Sequence, residues 1–412
     1  MNYKYLLKAV SLSAAALALL AAAPAQAQQT ETQALRTQIE ELQKRLDAIE
    51  AAQAATAASS TPNPLTTKEK VVLSGLLQVH SLNFPSEDVR TGGTRASDTF
   101  RLRRGELRLT APAITKHISG TILIDPAKAI SGRSNIANGT NLNIRARDNV
   151  LQEIQISYLL NQNADKTSTN TIDVGQFKIP FGYEGDRVSS SALTFVERAL
   201  LFTQRDTQDG GYGDVRDTGV RLRGTAGGQV DYDLGVFNGL GELQNTQAIS
   251  DQKAFIGRLI YRPTGLKGLQ IGASAATARG ATPTSATRVN RDLYNGFVVY
   301  KRNKVGVQAE YLDGQTQVRG AATSTDVRGY YGSLSYLFTP KLEGAFRYDY
   351  FNANRSAANS DVQDYSLGLN YYIKGNSAKI QANIVQRNGN ANAPAGLRND
   401  RTELRTNFQI AF

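Results

Sequence analysis

The sequence predicts an all-β protein, a transmembrane barrel of about sixteen antiparallel strands that follows an N-terminal α-helical coiled-coil segment. Residues alternate between apolar and polar from Val71 to the C-terminus. Short and long polar connectors take turns between the alternating segments. After residue 27 no apolar run reaches the about 18 residues of a spanning helix, so a membrane could be crossed only by strands.

The first 27 residues have the features of a secretory signal peptide. Lys4 and Lys8 precede an apolar run, and Ala25-Gln26-Ala27 matches a small-x-small cleavage site. Removing this segment lowers the formal charge from +11 to +9, and export excludes nucleic acid as the intended partner. The chain contains no Cys, which excludes disulfides, thiolate metal sites and Cys nucleophiles.

Residues 28–52 carry a heptad pattern and are predicted to form a coiled coil. The apolar positions Leu35, Ile39, Leu42, Leu46 and Ile49 are spaced 4, 3, 4 and 3 residues apart. About three heptads are too few for stable assembly alone, so the coil should depend on association elsewhere. The alternative is a single amphipathic helix packed on its own protein. Residues 53–70 then form a linker rich in Pro, Ser, Thr and Ala.

Residues 71–412 are predicted to form the barrel. Stretches such as Ile154–Leu160, Val230–Val236 and Tyr365–Tyr371 alternate in the way that gives one apolar and one polar face. Their connectors alternate in length, as periplasmic turns and extracellular loops do. The last strand places Leu404, Phe408 and Phe412 on one face and resembles the C-terminal strand of bacterial outer-membrane proteins.

One long connector, about residues 182–214, is predicted to fold into the barrel and carry positive charge into the pore. Leu193, Val196, Leu200 and Leu201 fall at helical spacing, and Ser189–Ser191 offer N-caps. Arg187, Arg198 and Arg205 lie off that apolar stripe. The alternative is a helical surface loop with solvated arginines.

The alternation of side chains between the two faces of a strand predicts which arginines line the lumen. Neighbouring apolar residues that face lipid turn the arginines between them inward, and a conflict between Leu102 and Leu107 predicts a bulge at Arg103–Gly105 that turns Arg104 or Arg108 inward. The complete set of predicted pore-lining residues is Arg101, Arg103, Arg108, Lys178, Arg187, Arg198, Arg205, Arg221, Arg223, Arg258, Arg401 and Arg405. For each, the alternative is a structural ion pair, with Glu106 and Glu403 as partners.

The sequence offers no catalytic site and no metal site. Its two histidines, His80 and His117, are predicted at strand ends without metal-ligand spacing. Asp214 and Asp217 near the long connector, with Asp206 and Asp209, lack a calcium-loop pattern. Ion pairs with Arg205 and Arg216 are expected instead, and no cofactor is expected.

The barrel segment resembles the phosphate-selective porin O and P family. The match is best at Asp173–Gly182, followed by Phe195–Leu200 and Asp217–Arg221. The resemblance implies a trimeric sixteen-stranded barrel with an inward-folded loop and arginines along the lumen. This chain has many arginines but no cluster comparable to that family's lysines, so the resemblance implies anion preference more directly than phosphate specificity.

The predicted function is a water-filled, anion-selective channel for passive uptake of phosphate or polyphosphate, in the outer membrane of a diderm bacterium. Arginine suits this role because its planar fork donates two parallel hydrogen bonds to an oxyanion. Inorganic phosphate or other small anions, outer-membrane lipid and two further copies of the chain are the expected partners. One alternative is a weakly selective general-diffusion porin. Another is an envelope-tethering protein whose coil binds the cell wall, with the barrel as its anchor.

Overall fold

A computed structural model describes residues 39–41, 44, 71–88, 96–112, 114–130, 150–203, 212–239, 253–279, 289–318 and 323–412. Backbone contacts divide the chain into two units, residues 1–67 and 68–412. In the first unit, Ile39, Glu40, Glu41 and Lys44 are helical. The signal peptide, the rest of the coiled coil and the linker lie outside the described residues, so these three segments stay predictions.

Sixteen strands in the described part of the second unit form one closed antiparallel barrel, in which β1 pairs with both β2 and β16. This confirms the predicted all-β barrel and its strand number. The strands are β1 Val72–Asp88, β2 Thr99–Ala111, β3 Ile118–Ile124, β4 Leu151–Gln162, β5 Thr169–Lys178, β6 Arg216–Ala226, β7 Val230–Phe237, β8 Ala254–Tyr261, β9 Leu269–Ala278, β10 Val289–Arg302, β11 Val305–Val318, β12 Thr325–Thr339, β13 Leu342–Asn352, β14 Asp361–Tyr372, β15 Ala378–Gly389 and β16 Asp400–Ala411.

The described helices are short turns in the connectors. The α-helical turns are Ala127–Ile130, Glu184–Arg187 and Leu200–Thr203, and the 3₁₀ turns are Ser190–Ala192 and Ala395–Leu397. None of the helices in the described ranges has the length and apolar character that crossing a membrane would require.

Alternation along each strand separates an apolar outer face from a polar inner face. On β14, Leu367 is 60% exposed whereas its neighbour Ser366 is 1% exposed. The last strand follows the same rule, with Leu404, Phe408 and Ile410 exposed on the outside. Because successive side chains of a strand point to opposite faces, this arrangement gives the barrel a lipid-compatible exterior.

The two ends of the barrel differ in their connectors. Short turns join β6 to β7, β10 to β11 and β12 to β13 at the end where β1 starts and β16 finishes, here called the turn end. Gly227 and Gly228 make one of these turns with φ of 57° and 70°, a backbone conformation that favours glycine. The long connectors lie at the opposite end, here called the loop end. The predicted alternation of short and long connectors is therefore present in the barrel.

A β-bulge on β2 changes which arginines face the lumen. Gln78 pairs with Arg104 but Val79 pairs with Leu102, so Arg103 is the extra residue. This confirms the bulge expected from the conflict between Leu102 and Leu107. The bulge brings Arg103 and Arg104 to the inner face together, where Arg104 Nη1 donates to Gln78 Oε1 at 2.7 Å.

The helix predicted around residues 191–202 is wrong. Residues 193–199 are irregular, and Leu193 is extended, with ψ of 134°. The expected cap is partly present, since Ser189 Oγ accepts a hydrogen bond from Ser191 N at 3.4 Å, but it caps only a 3₁₀ turn. Hydrogen bonds from the barrel wall to this backbone take the place of helical ones, and such tertiary contacts override local propensity.

Candidate functional site in the barrel lumen

The connector between β5 and β6 crosses the barrel lumen. Its first part contacts one side of the wall: Gly182 N donates to Ser274 Oγ at 2.9 Å, and the amides of Tyr183 and Glu184 donate to Glu310 at 2.8 Å each. Its later part contacts β1 and β13–β16 on the opposite side. The described residues 179–203 and 212–215 are called the inward segment below.

Wall side chains hold the backbone of the inward segment in place. Lys379 Nζ donates to Leu193 O at 2.7 Å, and Val196 N donates to Asn383 Oδ1 at 2.7 Å. Similar bonds to carbonyl groups of residues 190, 191, 193, 194, 197 and 198 come from Gln78, Gln409, Gln381, Asn370 and Arg347. Because these partners are main-chain groups, these particular hydrogen bonds do not depend on the side chains that the segment carries.

Apolar packing closes part of the lumen. Phe181, Leu200, Leu201 and Phe202 from the inward segment join a buried cluster with wall residues such as Phe351. Burying such side chains stabilises the segment by roughly 1.5–3 kcal/mol each. Several cavities lie beside the inward segment, and two members of the cluster, Leu200 and Leu397, line one of them.

The largest of these cavities, about 470 Å³, is called the loop-end cavity because its wall comes from the strand halves nearest the long connectors. Its lining includes seven arginines and three carboxylates. The charged residues are Arg101, Arg103, Arg198, Arg347, Arg387, Arg401, Arg405, Glu197, Asp364 and Glu403.

Two carboxylates organise the arginines of the loop-end cavity. Glu197, on the inward segment, binds Arg101 and accepts from Arg103 Nε at 2.8 Å and Arg103 Nη2 at 3.1 Å. Glu403, on β16, accepts from Arg401 Nε at 2.5 Å and Arg405 Nε at 2.7 Å. Glu403 also lies 3.3 Å from Arg387 Nη1, so the two carboxylates together serve five guanidinium groups.

A second cavity of about 430 Å³ lies near the turn end and is called the turn-end cavity. Its charged lining consists of four arginines and two carboxylates, namely Arg187, Arg221, Arg223, Arg262, Asp186 and Asp233. A neighbouring cavity of about 280 Å³ shares Arg187 and Arg221 with it and adds Arg108 and Lys178. Positive side chains therefore outnumber carboxylates on both sides of the inward segment.

Some predicted pore-lining residues are structural fasteners. The side chains of Arg198 and Arg258 are each 1% exposed. Arg258 binds Asp186 at 2.6 Å and Asp233 at 2.7 Å and donates to Gly182 O at 3.1 Å. Arg198 binds Asp214 at 3.0 Å and donates to backbone carbonyls of the inward segment. These two arginines hold the segment and offer little to a passing ion.

Other predicted residues present their charge to the cavities. Arg101, Arg108, Arg187 and Arg223 have side chains between 38% and 43% exposed. Arg103 is intermediate at 27%. Lys178, Arg221, Arg401 and Arg405 are between 10% and 14% exposed and are all ion-paired. Arg205 lies outside the described residues.

Sequence reasoning missed several lumen residues. Arg262, Arg347 and Arg387 line the cavities. Arg347 and Arg387 alternate with outward apolar or aromatic residues, and this signal could have identified them as pore-lining. The placement of His80 at a strand end is wrong. It lies within β1, fully buried, with Nδ1 3.7 Å from Glu197 Oε1, because parity with Leu77 and Val79 turns it inward.

Asp214 does not form the ion pair expected for it, because it pairs with Arg198 and with Lys178, the latter at 2.6 Å. Arg216 contacts Glu153 at 3.3 Å. Asp206, Asp209 and Arg205 lie outside the described residues, so the ion pairs expected for them stay predictions. Among the described residues no group of three or more potential metal-ligating side chains comes together.

Two carboxylates on the inward segment, Glu197 and Asp214, stay ionised. Burial alone would raise the pKa of Glu197, but the guanidinium groups of Arg103 and Arg101 outweigh it and hold the pKa well below its usual value. The pKa of Asp214 is lowered in the same way, with Arg198 and Lys178 overcoming the effect of burial. Both groups are negative at neutral pH and neutralise part of the surrounding positive charge.

Comparisons with known proteins agree with the barrel. The family model "Putative beta-barrel porin-2, OmpL-like" matches residues 109–412. Similar solved structures include the anion-selective porin of Comamonas acidovorans, at 13% identity and a TM-score of 0.56 over 84% of this chain and 100% of that chain. The outer membrane channel DcaP of Acinetobacter baumannii matches at 12% identity and a TM-score of 0.52, over 86% and 99%.

The trimer form of the outer membrane protein OmpT of Vibrio cholerae matches at 10% identity and a TM-score of 0.55, over 83% of this chain and 99% of that chain. At such identities the likeness concerns the fold. No curated protein matches the sequence.

Proposed function

The chain belongs to the OmpL-like β-barrel porin-2 family, and from that membership we propose an anion-selective channel for passive uptake of phosphate or other small anions. As a porin of the outer membrane, the protein is a channel by family and not an enzyme. The proposal concerns the ion that the channel prefers.

The observation that carries the proposal is the excess of arginine along the lumen. Seven arginines line the loop-end cavity with three carboxylates, and only Arg198 among them was identified above as a fastener. Four arginines line the turn-end cavity with two carboxylates, while Asp173 and Asp231 pair with these arginines from outside the lining. An anion entering a narrow pore loses water, and guanidinium donors replace it. A low-dielectric wall also focuses this positive field on the pore and raises the local anion concentration.

The paired carboxylates explain how such a channel could release its ion. A single charge contact near 4 Å is worth about 4 kcal/mol at an effective dielectric of about 20. Several unopposed contacts of that size would trap an anion. Glu197 and Glu403 oppose Arg101, Arg103, Arg401 and Arg405, so the net attraction is weaker and spread along the path.

Reversal potentials in planar bilayers test the proposal. With the purified protein in a KCl gradient, we expect the reversal potential to lie toward the chloride equilibrium potential, most clearly at low salt where screening is least. A cation-preferring potential would contradict an anion channel. A very low conductance would instead support the alternative in which the barrel only anchors an envelope-tethering protein.

Phosphate preference needs a separate measurement. Added phosphate should reduce the chloride current if phosphate binds in the lumen more tightly than chloride. Anion preference without phosphate block would identify a weakly selective anion porin. The sharing of carboxylates among Arg101, Arg103 and Arg405 favours this weaker selectivity, because few arginines are free to donate both fork hydrogen bonds to one oxyanion.

We also propose that the protein is a homotrimer held mainly by its barrel walls. The likeness to a barrel with a trimer form supports this assembly. Deleting residues 28–58 removes the predicted coil, and trimers should persist in native mass measurements. Monomers as the main species would show that the coil is needed. Binding of the coil to the cell wall stays a prediction.

A further inference from the structure

The two larger cavities differ in their apolar lining. The loop-end cavity contains Leu82, Phe84, Leu200 and Leu397 beside its arginines. The only aromatic or aliphatic side chain that lines the turn-end cavity within the described residues is Tyr183, which carries a hydroxyl group. A small hydrated anion needs polar donors and gains nothing from apolar walls. The loop-end cavity therefore has a chemistry that an inorganic anion does not use.

The apolar surface lies directly beside the cations. Leu82 on β1 pairs with Arg405 on β16 in the barrel register. The guanidinium carbon of Arg401 lies 5.3 Å from the centre of the Phe84 ring. Leu82 and Phe84 are only half-buried, so part of each side chain remains accessible. Cationic and apolar groups are thus within reach of one small molecule.

The arginines of this cavity already bind a carboxylate. Arg103 donates through Nε and Nη2 to the two oxygens of Glu197, which is the fork geometry that guanidinium uses for carboxylates. Arg101 also contacts Glu197, and its side chain is 42% exposed, so part of its five-donor guanidinium group is accessible. A second carboxylate can therefore be received from the water-filled side.

We propose that the loop-end cavity binds organic monocarboxylates that carry a compact apolar body, an inference that rests on the proposed anion channel. The carboxylate contacts Arg101 and Arg405, and the apolar body lies against Leu82 and Phe84. The volume of about 470 Å³ falls within the range of about 300–1,000 Å³ typical of small-molecule pockets. The site gives a preference for aromatic or branched acids over inorganic anions of the same charge.

Block of the KCl current by benzoate and acetate tests the proposal. Both probes carry one negative charge at pH 7, so they differ in apolar surface and not in charge. We expect benzoate to reduce the current at a concentration about tenfold lower than acetate, which corresponds to about 1.4 kcal/mol. Equal potency of the two acids in the unchanged protein would overturn the proposal.

Variants separate the two parts of the site. Phe84→Ala should reduce the benzoate preference to about twofold and leave acetate block unchanged. Arg101→Gln should weaken block by both acids to the same extent and keep their ratio. Phe346→Ala is the matched control, since it removes an aromatic ring from the lipid-facing side of β13. It should change neither value.

Two further readouts keep the result decisive. If Phe84→Ala does not assemble into heat-resistant barrels, Leu82→Ala tests the same surface. A benzoate preference that survives both changes would overturn the site. The reversal potential in KCl alone, measured without organic acid, reports the proposed anion selectivity separately, because block by benzoate can be measured whichever ion carries the current.

Discussion

Replacing Glu197 with glutamine should increase the anion selectivity of the channel. Glu197 is the carboxylate of the inward segment that neutralises Arg101 and Arg103 in the loop-end cavity. Glutamine keeps the shape and removes one negative charge. The cavity would then hold seven arginines against two carboxylates, where it now holds three. Because the pKa of Glu197 lies well below its usual value, the carboxylate is fully charged at neutral pH and the substitution removes a whole charge.

The size of the effect follows from Coulomb's law. An anion about 6 Å from the removed charge loses a repulsion of about 0.7 kcal/mol in water and about 3 kcal/mol at an effective dielectric of 20. The cavity is open to solvent, so the lower part of this interval applies. The chloride-to-potassium permeability ratio should rise about threefold to tenfold. Glu197 is largely buried and pairs with both arginines, so the substitution should also lower folding stability, by more than the roughly 1 kcal/mol of an exposed ion pair.

The assay is the reversal potential across a planar bilayer in a KCl gradient. Glu197→Gln should move it further toward the chloride equilibrium potential. Glu343→Gln is the control, because Glu343 is also largely enclosed and accepts from Asn370 at 2.8 Å and Tyr372 at 2.6 Å, away from this cavity. An unchanged or less anion-selective Glu197→Gln channel would show that ions do not pass close to Arg101 and Arg103.

Three other predictions follow from the lumen. Arg223→Gln should shift the reversal potential toward neutrality with a stability change within about 1 kcal/mol. Arg258→Gln should instead cost about 3–5 kcal/mol, because it removes the close ion-pair partner of two largely buried carboxylates. Heat-induced unfolding followed by gel shift compares the stabilities of the two variants. Deleting Ser189–Thr203 should raise single-channel conductance, and unchanged conductance would mean that the segment does not narrow the pore. Thermal stability should fall as the pH drops below about 4. The folded pKa values of Glu197 and Asp214 are lowered, so their stabilising contribution is complete above the usual pKa and is lost as the pH falls through the folded one.

The barrel could be predicted because its rules are local. Alternation along a strand depends on neighbouring residues only, and the disagreement in parity between Leu102 and Leu107 was enough to predict the bulge at Arg103. The irregular backbone of residues 193–199 could not be predicted from neighbouring residues. It is held by Lys379 and Asn383, side chains almost two hundred residues away in the sequence. Local periodicity carries no information about such contacts.

For the lumen arginines, too, one property follows from neighbouring residues and another depends on distant contacts. Parity correctly predicts that Arg258 points inward, but burial is decided by Asp186 and Asp233, which come from the inward segment and from β7. Arg101 and Glu197 lie far apart in the sequence, and only the folded segment brings them together. The sequence therefore indicates which arginines face the lumen and does not indicate which of them a partner neutralises.

The attachment of the inward segment through its main chain has a consequence for evolution. Carbonyl and amide groups are the same for every residue except proline, so the wall contacts of Leu193, Thr194 and Val196 survive most substitutions at these positions. Mutations in the inward segment can therefore change the charge and width of the lumen beside it, while the position of the segment along the barrel axis stays fixed. Related channels could acquire new solutes by point mutation within this segment, and a library randomised at Glu197 and at the exposed positions Arg187, Ser189 and Ala192 is a practical way to obtain such variants.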